Sequence, residues 1–336
     1  MAVFIPLIAV LALGYGAYWG AQQGLTSLFG IVIPYVTFVV FLLGFAARII
    51  NWAKTPVPFN ITTTSSQQQS LPWIKYSPLD NPPNAGWTAV RMVLEIGLFR
   101  SLFRNTTMYR LPGPKIVYNS AKWLWFFAML FHYALLTIVL RHLRLFLEPV
   151  PCCIKVIEVL DGLFQVGVPR MYQTDIVICT ALLFLLGRRL FSQKINYISL
   201  AADYFPLMLI LGICGSGIWM RYFSKTDISM VKVLTMSLVT LKPTVAEGVS
   251  AIFYMHIFLV SVLMAYFPFS KLMHLGGVFL SPTRNLPNNS RVRHHKNPWN
   301  PPKKFYTYEI YEDDFRELMI EAGLPVEKQP AETAAE

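Results

Sequence analysis

Charge is the first thing this sequence lacks. Only 14% of its 336 residues are charged, against roughly a quarter in an ordinary soluble domain. No Asp, Glu, Lys or Arg occurs before Arg48. Its apolar residues, 54% of the chain, gather into long blocks, which excludes a soluble globular enzyme. Cysteine is scarce as well. Four cysteines make no disulfide scaffold, and with Cys152 beside Cys153 and Cys179 and Cys214 alone there is no C-x-x-C or C-x-x-C-H. Zinc sites of that spacing and covalently attached haem are thereby excluded. The net charge of +11 does not point to nucleic acid, because a membrane protein is basic on its cytoplasmic side. The chain reads as an all-α integral membrane protein.

A helix needs about 20 apolar residues to cross a bilayer core of roughly 30 Å. Residues 1–47 are too long for one span and suit two, turning near Gln22-Gln23-Gly24. A signal peptide is the alternative reading of the start, but no Lys or Arg precedes the apolar stretch. Four further spans are expected at Ser120–Leu140, Thr174–Leu190, Leu200–Tyr222 and Val249–Phe269, making about six. The one closed by Arg188-Arg189 is the weakest. Trp123 and Trp125 suit the interface near the start of the third span.

The arrangement has four parts: two N-terminal helices over 1–50, a loop over 51–119, a four-helix region over 120–277 and a tail over 278–336. With both termini on one side, that side collects 21 of the 29 Lys and Arg residues. The other side keeps Arg141, Arg144, Lys155, Arg170, Arg221, Lys225, Lys232 and Lys242. The asymmetry puts both termini in the cytoplasm. In the loop, Trp87 to Arg104 places Val90, Leu94, Leu98 and Leu102 near helical spacing with Arg91, Arg100 and Arg104 among them. That pattern suits a basic amphipathic helix lying on membrane lipid, or equally a helix packed on the bundle. The tail carries an acidic stretch from Glu309 to Glu321; Pro282–Met319 suits a dock for a soluble partner, with disorder after Pro325.

Four of the six histidines lie in or at the ends of apolar spans: His132 and His142 on the third, His256 and His274 on the sixth. His294 and His295 belong to a basic, solvated run in the tail. An intramembrane imidazole is costly to leave unpaired. The third and sixth spans run in opposite directions, which brings His132 to the depth of His274 near the cytoplasmic face and His142 to that of His256 near the outer face. Two such pairs are what bis-imidazole ligation of two stacked haem b groups requires. The spacings disagree by about 12 Å, since ten helical residues rise about 15 Å and eighteen about 27 Å. Gly212, Gly215 and Gly217 would admit a porphyrin or a neighbouring helix. Arg141 and Arg144 could pair with propionates or snorkel to the interface.

These pairs, ten and eighteen residues apart, resemble those of the gamma subunit of respiratory nitrate reductase, a dihaem b quinol oxidase subunit, over roughly Ser120–Gly277. Thr55-Pro-Val-Pro-Phe59, Gln67-Gln-Gln-Ser-Leu-Pro-Trp-Ile-Lys75, the run from Phe269 to Asn285 and Asn297-Pro-Trp-Asn-Pro301 are similar to the DsrM family. Its members are membrane subunits of the sulfite-reduction-associated DsrMKJOP complex, and this similarity spans nearly the whole chain. The resemblance implies a menaquinol-reactive subunit with two b haems on His132, His142, His256 and His274. Its implied partners are a cytoplasmic DsrK-like iron–sulfur subunit related to heterodisulfide reductase and the other DsrMKJOP subunits.

The expected function is electron transfer between menaquinol and that partner within an oxidoreductase complex. Lys155, Glu158 and Asp161 are outer-side candidates for a quinol headgroup. The alternatives are a heterodisulfide or nitrate reductase membrane subunit, a proton-coupled transporter with a His relay, and a haem-free anchor.

Overall fold

The apolar blocks fold as helices, and short polar segments join them. The computed structural model describes residues 2–55, 73, 76–162, 171–245, 248–289 and 305–328. In chain order the helices are α1 (Phe4–Gln22), α2 (Ile33–Ala53), α3 (Ala85–Leu98), α4 (Arg100–Phe103), α5 (Lys122–His142), α6 (Cys152–Asp161) and α7 (Gln173–Phe191). There follow α8 (Gln193–Ile198), α9 (Ala201–Trp219), α10 (Ile228–Val239), α11 (Ala251–Tyr266), α12 (His274–Leu280), α13 (Pro282–Asn285) and α14 (Tyr308–Glu321). One antiparallel hairpin, β1 (Thr106–Arg110) with β2 (Ile116–Ser120), stands between α4 and α5. Residues 56–72 and 290–304, which hold most of the quoted loop motifs, Asn297–Pro301, His294 and His295, lie outside the described residues, as do Arg170 and 329–336.

The uncharged first block turns where expected: α1 ends at Gln22, and Gly24 takes a φ of 87° that favours glycine. Five helices are long and apolar enough to cross a membrane: Phe4–Gln22, Leu28–Ala53, Lys122–Leu145, Ala201–Ser224 and Ala251–Phe269. The expectation of six is therefore met by five on length and composition. The missing one is α7, whose Asp175 and Arg188-Arg189 dilute a helix of 19 residues. Its two ends are tied to the neighbouring long helices. Arg141 at the end of α5 reaches Asp175 at 3.5 Å, and Arg189 at the end of α7 reaches Asp203 of α9 at 3.8 Å. Nineteen helical residues rise about 28 Å, so α7 carries the chain back between α5 and α9. The third span starts at Lys122, not Ser120, because Ser120 pairs with Thr106 in the hairpin.

Helix α11 packs along α1, α2 and α9, while α5 packs along α7 and α7 along α9. The core seams hold Val10, Leu209 and Leu259, then Ile178, Leu182 and Ile210, then Leu234 and Tyr254. Among the described residues no extensive seam joins α5 to α11, so those two helices stand apart across the bundle.

The amphipathic run 87–104 breaks at Phe99, which adopts the left-handed region (φ 50°). Glu95 then accepts hydrogen bonds from the Ser101 amide (3.0 Å) and hydroxyl (2.6 Å), restarting the chain as α4. Helix α3 is inside out for a soluble protein. Thr88, Arg91 and Glu95 are buried, while Ala89, Val90, Val93 and Ile96 are exposed. An apolar outer face suits the interface of a bilayer; the polar face packs on α13. The acidic stretch of the tail forms α14, where buried Glu312 accepts the backbone amides of Glu327 (2.9 Å) and Lys328 (2.7 Å).

In the orientation expected from the charge asymmetry, α6 lies on the outer side, and its Cys152 and Cys153 are exposed. A membrane-impermeant maleimide should label them in intact cells. Labelling that requires permeabilised cells would reverse the orientation.

Candidate functional site

Each of the four membrane histidines is tied through the same ring atom. The Nδ1–H of His132 donates to the carbonyl of Ala128 at 2.7 Å, one turn back on α5. His142 does the same to Ile138 at 2.7 Å, and His274 to Lys271 at 2.9 Å. A carbonyl only accepts, so these rings are protonated at Nδ1. His256 meets the Ser216 hydroxyl at 2.9 Å. That hydroxyl spends its hydrogen on the Ile213 carbonyl at 2.9 Å, so its oxygen accepts from the imidazole. All four rings therefore carry a bare Nε2 lone pair and an oriented plane, the arrangement that a ligating imidazole needs.

One of the two expected crosswise pairs is in ring contact. His132 and His274 have ring centroids 6.0 Å apart with planes at 86°. His142 and His256 lie within electrostatic reach of each other near the other end of the bundle. His274, expected on or just past the end of the sixth span, lies past it. Helix α11 ends at Tyr266, Pro268 sits in a 3₁₀ turn, Ser270 is extended, and His274 opens α12. The chain from 267 to 273 thus does not climb at helical pitch in one direction. That removes the mismatch between a ten-residue and an eighteen-residue spacing.

Among the described residues no three His, Cys, Asp or Glu converge as a metal cluster, so a four-ligand protein cage is not what the rings build. Two opposed imidazoles suit a group that brings its own equatorial ligands. An iron bonded at about 2 Å to each of two imidazoles, with ring centres about 1 Å further out, separates those centres by about 6 Å. The His132–His274 pair fits an iron porphyrin on that measure. Phe99 and Phe131 hold the His132 ring edge-on, with centroids at 5.0 and 4.9 Å.

The three glycines of α9 divide in role. Gly217 admits His256, since a Cβ there would lie 3.3 Å from its Cε1. Gly212 serves helix packing against Val10 and Leu259, and Gly215 faces open space. Ser216 was not singled out from the sequence; its place between two glycines was the only hint.

Arg141 and Arg144 are committed elsewhere than to propionates. Arg141 is buried, bridges Asp161 at 2.9 Å and Asp175 at 3.5 Å, and lies 3.5 Å over the Tyr172 ring. Arg144 pairs with Glu158, which also accepts from the Tyr172 hydroxyl at 2.7 Å. Tyr222 donates to Asp175 at 2.7 Å, and Arg221 lies 4.0 Å over Tyr172. Of the three quinol candidates, Lys155 is exposed and Glu158 sits in this network. Asp161 lines a cavity of about 400 Å³ with Tyr133, Thr137 and Gln173, its oxygens held by Arg141 and Thr174.

The chain matches the model of the nitrate reductase gamma subunit over residues 116–292. It is 46% identical over 281 residues to the Hdr-like menaquinol oxidoreductase cytochrome b-like subunit of Archaeoglobus fulgidus, covering 82% of this chain and 84% of the relative. The corresponding subunit of Archaeoglobus profundus is 43% identical over 276 residues, covering 80% and 82%.

Partial burial works to raise the Glu158 pKa, but the Tyr172 hydroxyl and the Arg144 guanidinium outweigh it and hold the carboxyl below its usual range. A carboxylate of lowered pKa stabilises the fold above its unfolded pKa and loses that contribution as pH falls through its folded value. Thermal stability of the chain in detergent should therefore drop as pH falls through and below the ordinary carboxylate range. Glu158→Gln should flatten that dependence; an unchanged pH profile in the variant would count against the network.

Proposed function

The chain belongs to the nitrate reductase gamma subunit family, and from that premise we propose that it is a multi-pass, quinol-reactive cytochrome b subunit. It would transfer electrons between menaquinol and a cytoplasmic iron–sulfur partner of heterodisulfide reductase type, through two b haems. The observation that carries the reading is the set of four imidazoles, each tied at Nδ1, with His132 and His274 in ring contact and His142 and His256 close enough to interact electrostatically. The printed names of the two archaeal relatives support the quinol and the Hdr-like assembly. The finer assignment is the DsrM place in a DsrMKJOP complex of dissimilatory sulfur metabolism, with a DsrK-like subunit docked on the cytoplasmic loop and tail.

In this reading His132 and His274 hold the inner haem and His142 and His256 the outer one. Haem iron supplies the one-electron chemistry when bound. The chain's own residues supply orientation and insulation. Ala128, Ile138, Ser216 and Lys271 hold the imidazole planes through their oxygen atoms. Phe99 and Phe131 fix His132, and Gly217 leaves room for His256. The chain crosses six times, with α7 as the fourth span and both termini in the cytoplasm.

His132→Ala or His274→Ala should remove one b haem and leave the other; His142→Ala or His256→Ala should do the converse. Outer-haem occupancy should also fall in Gly217→Val, because the new side chain meets the His256 ring. Full haem content in two or more of the four alanine variants would refute the ligand set.

A further inference from the structure

The charges at the two ends of the bundle are balanced differently. On the outer side Arg141, Arg144 and Arg221 stand among Glu158, Asp161 and Asp175, three cations with three anions. On the inner side, among the described residues, Arg91, Arg100, Arg104 and Arg284 cluster with Asp80 and Glu95. Asp80 holds Arg100 at 2.7 Å and also Arg104, and both Glu95 oxygens accept from Ser101. Four arginines share these two carboxylates.

Arg91 is the member that cannot shed its charge to water. It is 7% exposed, on the buried stripe of α3, and its Nε has no hydrogen-bond partner. A guanidinium buried so needs an anion. Its position says which. The carbonyls closing α3 accept from α5: Gly97 from the Tyr133 hydroxyl at 2.6 Å and Leu98 from Trp125 Nε1 at 2.7 Å. The next residue, Phe99, touches the His132 ring. The other side of α3 packs on α13, which carries Arg284 and follows the helix that His274 opens. The helix that carries Arg91 thus reaches the His132 segment at its C-terminal end and packs on α13, the segment that follows His274.

We propose that Arg91 is a haem-carboxylate anchor, taking a propionate of the porphyrin held by His132 and His274, with the Arg284 charge supporting it. This rests on the haem reading above. The chemistry matches on three counts. A b haem carries its carboxylates on one edge, which a cluster rich in arginine suits. A guanidinium fork binds a carboxylate bidentately. The exposed apolar face of α3 buries the same helix from water on its other side when it lies in the membrane interface. Arg91 acts as a positioning and tuning residue: it touches the cofactor's edge, fixes its rotation about the imidazole axis, and favours the reduced iron by its charge.

The test is a potentiometric titration of the full chain in detergent, followed optically, with resonance Raman of the propionate bending bands. Arg91→Gln should lower the midpoint potential of one haem, leave the other unmoved and shift one pair of propionate bands. Arg91→Lys keeps the charge but not the fork, and should keep most of the potential while still shifting the bands. If Arg91→Gln does not assemble, Arg91→Lys alone decides by its bands. Unmoved potentials and bands in assembled variants, or unmoved bands in Arg91→Lys, would overturn the anchor. A wild-type chain without haem would instead sink the cytochrome reading, so the two failures are distinguishable.

Discussion

The bond from imidazole Nδ1–H to a fixed oxygen is the constraint on which the site depends. An untethered histidine in an apolar span would rotate, expose either nitrogen and carry either tautomer. Tied at Nδ1, each ring points one nitrogen across the bundle. Three tethers come from the histidine's own segment, from carbonyls three or four residues back. The fourth is borrowed from α9, where Ser216 can reach His256 only because the next residue is Gly217. The helix packing then follows the rings. Helices α5 and α11 are each packed mainly on other helices, and His132 of α5 meets His274 at the start of α12.

Burying charge in a membrane end is the second constraint. Asp175 and Asp203, the carboxylates nearest the spans, are each the third residue of their helix. Asp175 bonds Arg141 and Tyr222, and Asp203 bonds Lys271 at 2.6 Å and Arg189 at 3.8 Å. They stitch helix ends together and fix the order α5, α7, α9, α11. A proton-coupled transporter needs acidic groups deep within the spans, aligned with the histidines, and these two are held at the rims. The same stitching offsets the cost of Asp175 and Arg189 at the two ends of α7.

Much of this was legible in residue order, and what was missed has a physical reason. Long uncharged blocks announce spans directly, and α1, α2, α5, α9 and α11 appear within a few residues of the expected bounds. The crosswise meeting of His132 with His274 followed from span parity alone. The end of the sixth span at Phe269 was legible from hydropathy, which leaves His274 past it; that His274 opens a separate helix was not, because it depends on the turns at Pro268 and Ser270. The hairpin at 106–120 was missed because two five-residue strands barely stand out, although Pro112-Gly113-Pro114 marks its turn. Arg141 and Arg144 looked free for propionates because their partners, Asp161, Asp175 and Glu158, come from segments distant along the chain. Arg91 and Ser216 are of the same kind, defined by tertiary neighbours.

The most direct test of the central claim is a reduced-minus-oxidised optical spectrum of the purified chain in detergent, with haem counted per polypeptide. Two opposed imidazole pairs predict a b-type spectrum and two haems per chain. A well-folded preparation with no haem would contradict the account, and one haem per chain would leave one of the two pairs without the role assigned to it.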